Sequence, residues 1–211
     1  MNITVIGAGA WGTALAISLA ANHRVTLWSR DHAQIESMRA TRGNQRYLPD
    51  IPLPAGIELS ADLPSALAGA GLAIIAVPTA ALRSILQQVA GRVPLSNSGE
   101  RTNEKGIVKL PGVIWVCKGF EAGTSLLPHQ VVAEVLPDRF QRGVLSGPSF
   151  AQEVARGLPT ALTLASGDEE FARSTALALH HARLRIYASN DVAGVEVGGA
   201  VKNVMAIASG I

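Results

Sequence analysis

The chain has 211 residues, 48% of them apolar and only 16% charged, so it can build a sizeable core and is not disordered as a whole. Eighteen basic and sixteen acidic residues leave a net charge of +2 with no Lys/Arg block, which gives no footing for a nucleic-acid or membrane surface. The single cysteine, Cys117, excludes an internal disulfide and a Cys-based zinc site and fits a reducing, cytoplasmic compartment.

In chain order, short β-branched runs alternate with longer helical stretches. Asn2–Ile6 reads as a strand, Trp11–Asn22 as a helix, Arg24–Trp28 as a second strand, and a second helix starts near Asp31. The charge-free stretch from Ile3 to Ala21 is neither a signal peptide nor a membrane helix. No Lys or Arg precedes it, and Gly7, Gly9 and Gly12 break it into two elements. Leu72–Val77 is continuously apolar, as a central strand buried on both faces must be. Pro78-Thr79 ends it, and Ala80–Val89 is an amphipathic helix. The segment between Pro94 and Pro111 is polar and reads as a surface loop. Further strands are expected at Val113–Val116, Val144–Leu145, Leu162–Leu164 and Leu184–Tyr187. From Asp191 to Ile211 the pattern is helical, with Asn190 or Asp191 as N-cap. That last helix carries only Glu196 and Lys202 as charged residues, so it is expected to be buried nearly all round, and the sequence reads as cut short. The fold class is therefore α/β, a Rossmann-like doubly wound and mostly parallel sheet over 1–189. A last helical segment follows over 190–211.

Gly7-Ala8-Gly9-Ala10-Trp11-Gly12 matches G-x-G-x-x-G between a strand and a helix. Gly7 permits the tight turn, Gly9 lets a pyrophosphate approach, and Gly12 lets helix and strand pack closely. The helix opening near Ala10 points free N–H groups at phosphate. At the end of the second strand, Ser29-Arg30 stands where NAD sites carry an acid, and an arginine there suits the extra phosphate of NADP. NADPH is thus the preferred cofactor and NADH the second. An exposed Arg30 paired with Asp31 or Glu36 is the plainer alternative.

Five segments together carry a resemblance: GAGAWGTALA from Gly7, NQRYLP from Asn44, Lys118-Gly119 after a strand, SGPSFA from Ser146, and VGGAVKNVMAIASGI from Val197. They resemble the bacterial NAD(P)-dependent glycerol-3-phosphate dehydrogenase family. The resemblance implies interconversion of dihydroxyacetone phosphate and sn-glycerol 3-phosphate for phospholipid synthesis, and a homodimer in the longer protein. It implies that Lys202 transfers the proton, that Lys118 contacts cofactor and substrate, that Gly147 and Ser149 contact substrate, and that Trp11, Arg30 and Ala151 contact cofactor. It also implies that 190–211 is the first helix of a helical second domain, which supplies an aspartate and an Arg-Asn pair, so the chain alone is expected to be a poor catalyst.

The chemistry agrees. Carbonyl reduction leaves an alkoxide that needs a proton, and a lysine with lowered pKa can supply it. Lys202 sits on an otherwise apolar helix, with Gly198 and Gly199 leaving space for a ligand on the same face. Asn203 could serve the substrate hydroxyl, and Ser149 could instead cap a helix. Two other readings stay open: a non-catalytic dinucleotide-binding module, and a related hydroxy-acid or sugar-phosphate dehydrogenase. His180-His181 lack the partners of a metal site, and none is expected. Cys117, Trp115 and Phe150 are expected in the core.

Overall fold

The computed structural model describes residues 1–91, 112–208 and 210, with side chains except at 202–207. The polar 96–109 stretch lies outside the described residues.

The main sheet begins with β1 (Asn2–Ile6), which pairs in parallel with β2 (Arg24–Trp28) on one side and β6 (Leu72–Ile75) on the other. Outside β2 lies β5 (Ile57–Ser60). Outside β6 come β7 (Gly112–Trp115), β8 (Arg142–Ser146), β9 (Thr160–Ala165) and β10 (Leu184–Ser189). The order is β10-β9-β8-β7-β6-β1-β2-β5, and the chain direction reverses only between β8 and β9. β5-β2-β1-β6-β7-β8 is the doubly wound order, with its switch point between β1 and β6. β3 (Gly43–Asn44) and β4 (Leu48–Pro52) form a separate antiparallel pair.

Alternate strand residues feed two cores. On one face Ile3, Val5, Leu72, Ile74 and Ile114 pack beneath α1 (Ala10–Leu19), α2 (His32–Thr41) and α7 (Glu169–Leu179). On the other, Ile6, Ala73, Ile75, Val113 and Trp115 meet α3 (Leu63–Leu67), α4 (Thr79–Ala90) and α5 (Pro128–Val135). Burial on both sides explains why these strands read as unbroken apolar runs. α6 (Ala151–Ala155) crosses α1, and α8 (Val192–Ala208) lies along β8 and β9.

The reversal at β9 matters for the site. β9 and β10 run toward the amino edge of the central strands, so α8 starts there and runs back across the sheet toward the carboxyl edge. Asp191 caps it, accepting from Gly194 N at 2.8 Å, which settles the choice between Asn190 and Asp191.

Several expectations are corrected. α1 stops at Leu19, with residues 20–22 in a turn, and β6 stops at Ile75. Phe150 is 67% exposed and not in the core, because it precedes α6 at the rim of the sheet. α8 is not buried all round. Val192 and Val195 pack on the core, but Val197 and Val201 on its other flank are exposed. His180 and His181 lie beyond the end of α7: His181 Nε2 meets Ser18 Oγ at 3.0 Å, and His180 Nδ1 accepts from Ile186 N. Among the described residues no group of three or more His, Cys, Asp or Glu could hold a metal, and no helix is long and apolar enough to cross a membrane. Trp115 and Cys117 are buried as expected, and burial pushes the Cys117 thiol up to about 12.

Candidate functional site

Loops at the carboxyl ends of β1, β2, β6, β7 and β8 share one edge of the sheet. The first of them is the glycine turn. Gly7 holds φ +117°, and a Cβ there would stand 2.4 Å from Ala76 O, so the turn presses against the loop after β6 at the switch point. A Cβ on Gly12 would stand 1.9 Å from Gly7 O, which is why the helix can sit this tightly under the strand end. Gly9 differs: no heavy atom lies within 4 Å of where its Cβ would be. The open space above Gly9, together with an α1 that starts without side-chain cap or acidic first turn, fits a pyrophosphate approaching the backbone. Gly7, Gly9, Ala10, Trp11 and Gly12 are thus together, with Ala10 and Trp11 in the first turn of α1.

Two residues hold this turn from behind, and sequence reasoning assigned neither a role. Asn44, buried in β3, donates from Nδ2 to Ala8 O at 2.9 Å and to Thr13 Oγ1 at 2.7 Å. Gln34 donates from Nε2 to the same Ala8 carbonyl at 2.7 Å. The available signal was the NQRYLP segment, whose first residue does this work. Gln34 is also tied to the end of β2, since Ser29 Oγ donates to its Oε1 at 2.9 Å.

Beside this knot stands Arg30, exposed and without an ion pair among the described residues. The suggested pairing with Asp31 or Glu36 does not occur. Asp31 caps α2, accepting from Gln34 N at 3.1 Å, and faces Arg46 at 3.6 Å; Glu36 pairs with Arg39. Asp31 is therefore committed to a helix end and to Arg46, and Arg30 has no ion pair among the described residues.

The second half of the edge gathers around Lys118. The Thr79 hydroxyl donates to Lys118 O at 2.8 Å, and Lys118 Nζ donates to Gly147 O at 3.1 Å, tying the loop after β7 to the loops after β6 and β8. Beyond Lys118, Arg83 forms a two-pronged pair with Glu121 at 2.9 and 2.8 Å and meets Glu134 at 2.8 Å. The Arg83 guanidinium, helped by the Thr124 hydroxyl, pulls the Glu121 carboxyl down to about 2. α8 arrives here as well. A Cβ on Gly199 would meet Ser146 Oγ at 2.7 Å and Lys118 Cγ and Cδ at 3.6 Å, whereas Gly198 faces open space. So only Gly198 leaves room; Gly199 is filled by Ser146 and Lys118. Lys202 and Asn203 follow on α8, and their side chains fall outside the described residues.

Ser149 is half-buried in the loop after β8 but does not cap α6, whose N-cap is Phe150. Ala151 opens α6 and packs with Trp11 on the small cluster of Ala14, Leu48, Ile51 and Val154. The structure therefore groups the expected residues into a glycine-turn set with Trp11, Arg30 and Ala151, and a Lys118–Gly147–Gly199 set.

Fold and site together define a dinucleotide-binding domain of the Rossmann type, with a glycine-rich turn at the switch point of a doubly wound sheet. Residues 2–172 match the family model described as the NAD-dependent glycerol-3-phosphate dehydrogenase N-terminus, and the chain belongs to this family. It is 56% identical over 211 residues to a glycerol-3-phosphate dehydrogenase (NAD(P)+) of Thiobacillus denitrificans, covering all of this chain and 60% of that protein. A protein of the same name from Dechloromonas aromatica is 53% identical with the same coverage. Among solved structures, the glycerol-3-phosphate dehydrogenase of Coxiella burnetii superposes with a TM-score of 0.84 at 37% identity, over 99% of this chain and 60% of that one. The chain thus spans about 60% of the length of the curated relatives it matches.

Proposed function

We propose that this chain is the nucleotide-binding part of an enzyme that reduces dihydroxyacetone phosphate to sn-glycerol 3-phosphate, reversibly, with NADPH preferred over NADH. The supply of glycerophospholipid backbone is its purpose. Residues 1–189 form the cofactor domain, and α8 opens the domain that completes the substrate pocket. The observation that carries this reading is the meeting of the glycine turn, Lys118, Gly147 and Gly199 along one sheet edge, in a chain of this family.

The dinucleotide, when bound, supplies a hydride to the substrate carbonyl carbon. The chain's residues do the rest. Backbone N–H groups of Ala10 and Trp11 bind pyrophosphate, and Ala151 and Trp11 wall the cofactor. Arg30 reads the additional phosphate of NADPH through its fork of donors. Lys118, held by Gly147 O and steadied through Thr79, stands between cofactor and substrate, with Gly147 and Ser149 at the substrate side. Lys202 gives the proton to the carbonyl oxygen in reduction and takes it from the hydroxyl in oxidation, with Asn203 beside it. The lone buried Cys117 supports a cytoplasmic location, and a homodimer of the longer protein completes the reading.

The test is Lys202→Ala in a protein of the relatives' full length. Dihydroxyacetone-phosphate-dependent oxidation of NADPH is expected to fall about 100- to 10,000-fold in kcat, with NADPH affinity unchanged. An unaltered kcat removes Lys202 from the chemistry, and absence of any turnover by the unmutated protein removes the substrate assignment.

A further inference from the structure

We infer that Glu196 is a positioning residue: its buried carboxylate pins α8 to the nucleotide domain in one orientation and thereby sets where Lys202 stands. The role given to Lys202 rests on the function proposed above, whereas the pinning rests on geometry alone.

Among the described residues, Glu196 is the one acidic or basic residue that is buried, at 4% exposed. Three donors from two other elements converge on it. Trp115 Nε1, at the end of β7, donates to Oε1 at 2.6 Å. The backbone N of His129, in the first turn of α5, donates to the same oxygen at 2.9 Å, and His129 Nδ1 meets Oε2 at 2.5 Å. Burying a carboxylate is unfavourable unless it is fully hydrogen-bonded, and a well-packed hydrophobe would fasten a helix at least as tightly. What a leucine would not supply is direction. Val192 and Val195 already provide apolar contact with the core, and such contact tolerates sliding and rotation. Three hydrogen bonds from fixed donors do not, because each fails when its angle opens.

The pinned orientation has a consequence at the site. Gly199 lies three residues after Glu196 and Lys202 three after that, so each is a neighbour of the one before it, and Lys202 stands about 120° round the axis from Glu196. Gly199 is the point where α8 touches Ser146 and Lys118, and at 1.5 Å per residue Lys202 stands about 9 Å beyond Glu196 along the axis. Trp115 also precedes Lys118 by three residues. One carboxylate therefore fixes α8 to the strand whose continuation carries the other lysine of the site.

Two readouts test this. In the enzyme of full length, Glu196→Leu is expected to lower kcat about 10- to 100-fold, to shift the kcat–pH profile that reports the transferred proton, and to leave NADPH affinity unchanged, since α1 and β2 are untouched. Glu196→Gln is expected to stay within about threefold of the parent. Its Oε1 keeps the bonds from Trp115 and His129 N, and its amide N–H can donate to Nδ1 of a neutral imidazole. Independently of turnover, amide hydrogen exchange across α8 is expected to accelerate in Glu196→Leu while α1 keeps its protection. Unchanged α8 exchange overturns the pinning. Unchanged kcat and pH profile, equal damage by Leu and Gln, or loss of NADPH affinity in step with kcat overturns the positioning role. If Glu196→Leu does not yield folded protein, Trp115→Phe removes one donor at little cost in volume and is judged by the same readouts. A parent enzyme that ignores dihydroxyacetone phosphate refutes the proposed substrate, while the exchange comparison still decides the pinning.

Discussion

α2, α3, α7 and α8 each begin beneath an aspartate: Asp31, Asp62, Asp168 and Asp191 accept from backbone N–H groups in the first turn at 3.1, 2.9, 3.0 and 2.8 Å. α1 and α4, which flank the switch point of the sheet, begin after Gly9 and Pro78 with no side-chain cap and no acid in the first turn. The same structural problem, unsatisfied N–H groups at a helix start, is solved by an aspartate in four helices and by no side chain in α1. A cap at α1 would add stability and a negative charge where an anion has to sit. α4, α5 and α6 also begin without a side-chain cap, so what sets α1 apart is the combination of an uncapped start with open space above Gly9.

The comparison can be broken first by Gly12→Ala. With its Cβ 1.9 Å from Gly7 O, the turn has to open, and a loss of about 3 kcal/mol in urea unfolding is expected, along with NADPH binding. Retained stability would show that the tight turn is not needed. Gly9→Asp gives α1 the cap that its neighbours have. Its side chain enters open space, so stability is expected to hold or rise, while NADPH affinity drops by about tenfold or more, which titration measures. Asp168→Ala is the mirror experiment: it removes a cap far from the site and is expected to cost about 1 kcal/mol with no change in cofactor affinity.

The smallest effect concerns acid. His23 and His181 have pKa values held below the usual histidine value, chiefly by burial, with the chain amino group adding to the effect at His23 and His180 at His181. Below the unfolded value of about 6.5 the unfolded chain therefore binds more protons than the folded one. Stability is expected to decline as pH falls through that value, and replacing His181 by Asn should flatten the slope in thermal melts.

Much of this was legible in the sequence where local pattern and tertiary demand coincide. β1, the glycine turn and β2 carry a motif and apolar runs that only one arrangement satisfies, and the central strands betray double burial through Leu72–Ile75. The Leu48–Pro52 strand was not legible: two prolines and the positive φ of Asp50 argue locally against a strand, and its short partner Gly43–Asn44 supplies the ladder. The direction of β9 is likewise set by pairing with β8 and leaves no local trace. At the site, Glu196 stood out as an acid on an apolar helix, but its partners Trp115 and His129 lie 81 and 67 residues away and carry no motif. Phe150 reads locally as core, as an aromatic beside a helix start does, but the helix it precedes lies at the rim of the sheet.

The most direct test of the central claim, that α1 binds a dinucleotide whose extra phosphate is read by Arg30, is calorimetric titration of the chain and its Arg30→Ala variant with NADPH and NADH. The chain is expected to bind NADPH about tenfold more tightly than NADH, and the variant to lose that preference while keeping its affinity for NADH. Equal binding of the two cofactors by the unmutated chain, or a preference that survives in Arg30→Ala, would contradict it.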